Sequence, residues 1–253
     1  MKFTKNLEEL LDFDLPQDEL DKFHKKTKLR KVHQMNPKRY PKAWTTLFYK
    51  GYPRFKEVSL SKPRLDKKIS FLDTLVNRDS IRKYRSAKMP LSTVSNLLYY
   101  SFGLKDLKDP TKGRFYPSAG ARYPIEIYLL SLNTDLDSGL YHYYFKSHSL
   151  EKLMPIKKFN FRDYSIPGGF RKASCLVIMT AVFDRGRIKY GSRAYPFAMM
   201  EAGHIGQNIY LVSAASKLSC CAVGGFNNYK VDELLDVDGV RETSIYIFAI
   251  GKS

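Results

Sequence analysis

Tyr116-Pro117-Ser118-Ala119-Gly120-Ala121-Arg122-Tyr123-Pro124 runs directly into Ile125-Glu126-Ile127-Tyr128-Leu129-Leu130, a rigid loop of small residues emptying into a strand. Pro117 fixes its own φ, and Ser118, Ala119 and Gly120 let the backbone come close to something flat or bulky. Residues 125–132 alternate apolar and mixed positions, the pattern of a half-buried strand. A loop held this way by a sheet is either a ligand site or a plain tight turn, and on its own it leaves both open.

Working outward, the flanking segments define the class. Leu91 to Phe102 places Leu91, Val94, Leu97, Leu98 and Phe102 at helical spacing, with Ser92 near the cap. Phe71 to Asn77 reads as a helix start, and Lys105 to Phe115 as a polar loop. Downstream, residues 140–145 and 149–154 read as hairpin partners after the Asp137-Ser138-Gly139 turn. Residues 156–172 are irregular, and Ala173 to Phe183 is the best core strand. Ala198 to Leu218 is the best helix, with a stripe of Met199, Ala202, Ile205, Ile209 and Val212. Gly203 and Gly206 thin one side of it, for close packing in the core or against a symmetry mate. Ile245 to Ile250 closes the chain as a last strand. Strands separated by helices, with hairpins present, indicate an α+β fold rather than a doubly wound sheet.

Residues 1–66 read as an N-terminal arm and 67–253 as the main domain. A helix or two is expected over Leu7 to Lys26, broken at Pro16. The aromatic segment 43–55, with Trp44, Phe48, Tyr49, Tyr52 and Phe55, is expected to pack on the main body or on a second subunit.

The 253 residues include 43% hydrophobic and 14% aromatic side chains, enough for a sizeable core. No apolar run reaches the roughly 18 residues of a membrane span, and no signal peptide is evident, so a cytoplasmic protein is expected. Cys175, Cys220 and Cys221 form no C-x-x-C and read as buried free thiols. The five histidines show no metal-ligand spacing, and no metal site is expected. A formal charge of +18 invites a nucleic-acid reading. The charge is spread along the chain without a zinc-finger or RNA-binding signature, so a solvated basic surface is the better reading.

Three further segments carry chemistry. Arg78, Ser80 and Arg82 alternate, so an extended backbone directs two guanidinium groups and a hydroxyl to one side, a fitting phosphate clamp. Ala222-Val223-Gly224-Gly225 offers backbone N–H groups to a ligand edge. Lys189-Tyr190 is either a proton-transfer pair or a surface Lys-Tyr.

In this order, Arg-x-Ser-x-Arg, Pro-Ser-Ala-Gly-x-Arg-Tyr-Pro, Lys-Tyr-Gly, Glu-Ala-Gly-His-x-x-Gln-Asn and Gly-Gly-Phe, the set resembles the nitroreductase superfamily. More narrowly it resembles the SagB/McbC-type azoline dehydrogenases, over about residues 45–252. The resemblance implies a mostly antiparallel sheet flanked by helices, and a homodimer with a long central helix and FMN at the subunit interface. It implies that Arg78, Ser80 and Arg82 hold the FMN phosphate and ribityl chain, with Lys252 reaching the phosphate. Pro117, Ser118, Ala119 and Gly120 would line the isoalloxazine, and Ala222, Val223, Gly224 and Gly225 would meet its other edge. Gln207 and Asn208 would support the site. Lys189 and Tyr190 match the subfamily's catalytic pair, acting on thiazoline or oxazoline rings of a precursor peptide alongside a YcaO-type cyclodehydratase. Two other readings remain: an NAD(P)H-dependent nitro or quinone reductase of the same fold, and a non-catalytic basic peptide-binding module.

Overall fold

The computed structural model describes residues 17–28, 41–46, 49–64 and 68–253. The chain divides into two compact units at Tyr40/Pro41. In the first, α1 (Gln17–Thr27) follows Pro16 as expected; the rest of the helical stretch predicted from Leu7 lies outside the described residues. The second unit begins with the short helix α2 (Lys42–Thr45) and β1 (Lys56–Ser59). It continues through α3 (Phe71–Asn77), α4 (Leu91–Phe102), β2 (Ile125–Ser131), β3 (Gly139–Tyr144) and β4 (Ser149–Pro155). It ends with β5 (Cys175–Val182), α5 (Asp184–Tyr190), α6 (Ala194–Ala215), β6 (Leu218–Val223), α7 (Asn228–Leu235) and β7 (Glu242–Lys252).

The seven strands form one sheet in the order β1-β4-β3-β2-β5-β7-β6, with every neighbouring pair antiparallel. The class is α+β. Because β1 pairs with β4, Lys56–Ser59 belong to the sheet, and the two units divide at Tyr40/Pro41, where the sequence led to a boundary at 66/67. The aromatic segment packs on the same body. The Trp44 indole N–H donates to Ile188 O at 3.0 Å, and the Tyr49 and Tyr52 rings lie 5.1 Å from Phe145 and His142. Phe48 lies outside the described residues.

Each face of the sheet carries its own hydrophobic layer. One joins α4 and α6 to Ile127, Leu129, Val177 and Phe248; the other gathers Phe161, Phe170, Val231 and Leu235 over Tyr128, Leu130, Ile178 and Ile247. Covered on both sides, β2 is buried at all seven positions, not at alternate ones. The half-buried pattern read from its sequence came from Glu126 and Tyr128, whose polar ends are paired inside the protein.

Helix α6 is about 33 Å long at the usual rise. A Cβ on Gly206 would sit 2.9 Å from the Phe248 ring, so this glycine lets the helix close onto its own sheet. Gly203 faces open space. Ser92 does not cap α4: Pro90 stands at the cap, and the Leu91 N–H donates to Asp135 Oδ2 at 3.0 Å. The three cysteines are free and buried. Among the described residues, no helix is long and apolar enough to cross a membrane.

Candidate active site

The loop leading into β2 is tightly wound. Gly120, Ala121 and Tyr123 all take left-handed conformations, with φ of 58°, 52° and 47°. Side chains hold this shape in place. Ser118 Oγ accepts from the Tyr123 N–H at 2.8 Å, and Arg122 donates to Gly120 O at 3.0 Å and to Thr46 O at 3.1 Å. Arg185, from α5, donates to Tyr123 O at 2.9 Å and pairs with Glu126. Glu126 is fully enclosed. Burial opposes its charge, but Arg185 and His142 outweigh that and hold its carboxyl at about 2. His142 bridges Glu126 and Glu151 at 3.1 and 2.7 Å, and these two carboxylates overcome burial to raise its pKa. This buried chain of charges ties α5 to the loop.

Lys189 and Tyr190 end α5, and they meet the loop at Gly120. A Cβ built on Gly120 would collide with the Tyr190 hydroxyl and stand 3.1 Å from Lys189 Nζ. The absence of a side chain at Gly120 is therefore what admits the Lys-Tyr pair. The Lys189 ammonium lies 5.8 Å from the Trp44 ring centre, within cation–π range, and the Tyr190 ring packs edge-on against Phe197. The two segments are distant in sequence, and the structure brings them together at Gly120.

Behind the loop, Glu201 of α6 shares a small cavity with Ser118 and Tyr190. On another side, Phe115, Tyr116, Pro117, Ser118 and Tyr123 line a cleft of about 430 Å³ together with Lys105 and Lys112. The Arg114 guanidinium is buried beneath, donating to the Tyr116 hydroxyl at 2.7 Å and stacked 3.8 Å from the Phe145 ring centre.

The arginine segment forms a second group, organised by Tyr210. Arg78 leaves α3 extended, and the Ile81 N–H donates to Cys220 O at 2.9 Å, so the segment runs along β6. Ser80 Oγ lies 3.0 Å from the Tyr210 hydroxyl, and the Arg78 guanidinium is 5.6 Å from the Tyr210 ring centre. Arg82 Nη1 is 3.5 Å from Ser80 O. The same Tyr210 hydroxyl accepts from the Ala222 N–H at 2.9 Å. This joins the arginine segment to the Ala222-Val223-Gly224-Gly225 segment, of which Ala222 and Val223 end β6. No atom lies within 4 Å of a Cβ built on Gly224 or Gly225. Lys252 pairs with Leu218, two positions along β6 from the Cys220 that holds Ile81, and its carbonyl accepts from the Arg85 N–H at 3.0 Å, at the far end of the same arginine segment. Asn208 donates to Phe115 O at 3.3 Å, while Gln207 is exposed.

Glu201 and Tyr210 are two and a half turns apart on α6. They therefore point to opposite flanks, about 14 Å apart along the axis. Within one chain, the loop group and the arginine group lie on opposite sides of the long helix. Tyr210, Trp44 and Arg185 were not singled out as site residues from sequence. Glu201 was, but only as part of a motif. An acidic side chain beside Ala202 and Ile205 on the apolar stripe was the signal that it is buried.

Residues 75–252 match the Nitroreductase family. The chain belongs to the nitroreductase family. Members generally use a flavin, and this nitroreductase-family protein is an oxidoreductase by descent. It is 28% identical over 191 residues to MJ1384 of Methanocaldococcus jannaschii, covering 73% of this chain and 91% of that one. It is 30% identical over 207 residues to the microcin B17-processing protein McbC of Escherichia coli, covering 76% and 70%. It shares its fold with a chain of the E. coli microcin synthetase McbBCD complex, solved with truncated pro-MccB17 bound. The TM-score there is 0.60 at 22% identity, covering all of this chain and 99% of that one.

The residues present suit a flavin nucleotide. Two arginines and a hydroxyl offer charge-assisted bonds to a phosphate, Gly224 and Gly225 present open backbone, and the small-residue loop stands against Lys189 and Tyr190.

Proposed function

We propose that the protein is an FMN-dependent dehydrogenase that oxidises thiazoline and oxazoline rings in a ribosomally made peptide to thiazoles and oxazoles. The observation that carries this reading is the meeting of Gly120 with Lys189 and Tyr190. The loop that would line a flat ring and the pair that would move a proton share one face. The kinship with McbC, which is named for processing microcin B17, points to the same class of substrate.

When bound, FMN supplies a two-electron acceptor for hydride. Everything else falls to the chain. Pro117, Ser118 and Ala119 form the wall beside the ring system. Lys189 takes the proton from the azoline carbon next to the one that loses hydride, and Tyr190 orients it or passes the proton on. Arg78, Ser80 and Arg82 hold the phosphate. Two electrons and two protons leave the substrate in all, and aromatisation of the ring favours their departure.

The active form is a homodimer with the flavin between its copies. Two features support this. The loop and arginine groups lie on opposite flanks of α6, so one copy's arginines would complete the other copy's loop. Phe71, Leu72, Leu75 and Val76 of α3, beside the arginines, are all exposed. A cyclodehydratase that makes azolines is the implied partner, working with this enzyme in the cytoplasm.

Lys189→Ala and Tyr190→Phe test the assignment in protein that still carries flavin. With an azoline peptide as substrate, loss of two hydrogens by mass spectrometry measures turnover. Lys189→Ala is expected to lower it by about 100-fold or more. Near wild-type turnover in both variants would remove the pair from the chemistry.

A further inference from the structure

Glu201 is 2% exposed, and neither carboxylate oxygen has a hydrogen-bond partner. The Ser118 hydroxyl and the Ile125 N–H are close enough to favour its charge without meeting hydrogen-bond geometry. An enclosed carboxyl left unpaired is costly and calls for a reason. Its surroundings supply one. Glu201, Ser118 and Tyr190 line the same cavity, with Arg122 and Phe197 also in its wall. That cavity measures about 10 Å³, close to the space one water needs. Tyr190 thus belongs both to the lining of this cavity, with Glu201, and to the contact with Gly120 of the loop.

We propose that Glu201 is the internal proton acceptor behind Tyr190, a positioning residue that draws the substrate-derived proton off the Lys189–Tyr190 pair and away from the flavin face. This inference rests on the function proposed above. The step is proton transfer alone. The Tyr190 O–H bond breaks toward the carboxylate, directly or across a single water, while the pair receives the proton from the substrate carbon. The electron pair of the broken C–H bond that leaves as hydride goes to the flavin, and Glu201 carries none of it.

The charged and titratable groups around Glu201 are Arg114 on the approach to the loop, Tyr116 and Arg122 within it, and Arg185 and Tyr190 on α5. Burial dominates among these influences and pushes the Glu201 carboxyl up to about 7, against the pull of Ser118, Arg114 and Arg185. The carboxylate accepts a proton only when ionised, so turnover should rise as pH increases through this range.

The test compares wild type, Glu201→Gln and Glu201→Asp, all loaded with flavin, across about pH 6 to pH 9. Wild-type kcat should climb to a plateau with an inflection near 7. Glu201→Gln should match wild type at the acid end, stay flat, and fall at least about ten-fold below it at the alkaline end. Glu201→Asp should restore an inflection. A merely structural role would lower the rate at every pH and leave the inflection in place. A second readout needs neither substrate nor flavin: infrared difference spectra of flavin-free wild type against Glu201→Gln should show a protonated carboxyl band that titrates near 7. Absence of that band, or an unchanged kcat profile in Glu201→Gln, overturns the inference. Wild type that oxidises no azoline at any pH, with the band still present, overturns the functional reading and with it the relay.

Discussion

Replacing Gly120 with alanine puts a methyl group where the Tyr190 hydroxyl now lies. Two costs follow. The backbone at Gly120 has φ of 58°, where an alanine is disfavoured by about 1–2 kcal/mol. The second cost is steric. Lys189 Nζ stands 3.1 Å from the new carbon and the Tyr190 oxygen overlaps it, so the pair must retreat by about 1 Å. In a body of this size, 1–2 kcal/mol corresponds to a Tm lower by roughly 2–8 °C. A retreat of about 1 Å at a reacting pair costs on the order of 100-fold in turnover. Calorimetry, flavin content and azoline oxidation read the three effects separately. The expected result is a modest fall in Tm, retained flavin and a large loss of turnover. Gly203→Ala is the control, since it faces open space within a helix and should be neutral or slightly stabilising. If Gly120→Ala kept wild-type turnover and Tm, the packing of Tyr190 against the loop, and the catalytic assignment built on it, would be refuted.

Two further predictions concern the groups that support the loop. Glu201 has a folded-state pKa of about 7 against an ordinary 4.5, so the folded protein holds its proton over a range where the unfolded chain has released it. The associated stability is fully present below about 4.5 and is lost as pH rises to about 7, a fall of roughly 3 kcal/mol. Urea unfolding of wild type and Glu201→Gln should show the gap between them shift by up to that amount across this window, and a pH-independent gap would contradict the buried, neutral carboxyl. Arg185→Met removes the bond to Tyr123 O and leaves Glu126 enclosed without its guanidinium partner. A destabilisation of about 3–5 kcal/mol at neutral pH is expected by urea unfolding, and a loss under about 1 kcal/mol would show that the charge chain does not brace the loop.

Periodicity located the long elements well. Helix α4 falls on the residues expected from its apolar spacing, and β3, β4 and β5 lie within one or two residues of their predicted bounds. Elements set by tertiary contacts were harder to see. Strand β6 was not foreseen: the long helix was expected to run to Leu218, but it stops at Ala215, the break being made by Ser216 and by Lys217 at φ of 53°, and the strand begins at Leu218. Strand β1, Lys56–Ser59, is an edge strand with charged, exposed positions and carries little hydrophobic pattern. Helix α5 is a short connector, and nothing in Asp184–Tyr190 has the spacing of a buried face.

The site was legible as separate motifs, each for a local reason: small residues, paired glycines, alternating arginines. Their assembly was only partly legible. That Gly120 meets Tyr190 and that Ser80 meets Ala222 through Tyr210 depends on contacts between segments far apart in sequence. The division of the site into two groups on opposite flanks of α6 follows from helical phase between Glu201 and Tyr210, and Tyr210 carried no signal that would have marked it.

The central claim is that the arginine segment and the Pro-Ser-Ala-Gly loop grip one flavin. The most direct measurement is the visible absorption spectrum of the purified protein, with the chromophore released and quantified, for wild type and for Arg78→Ala combined with Arg82→Ala. Wild-type protein should be yellow and release FMN on denaturation, and the folded double variant should have lost most of it. A colourless wild type that takes up no added FMN, or a double variant with undiminished flavin, would contradict it.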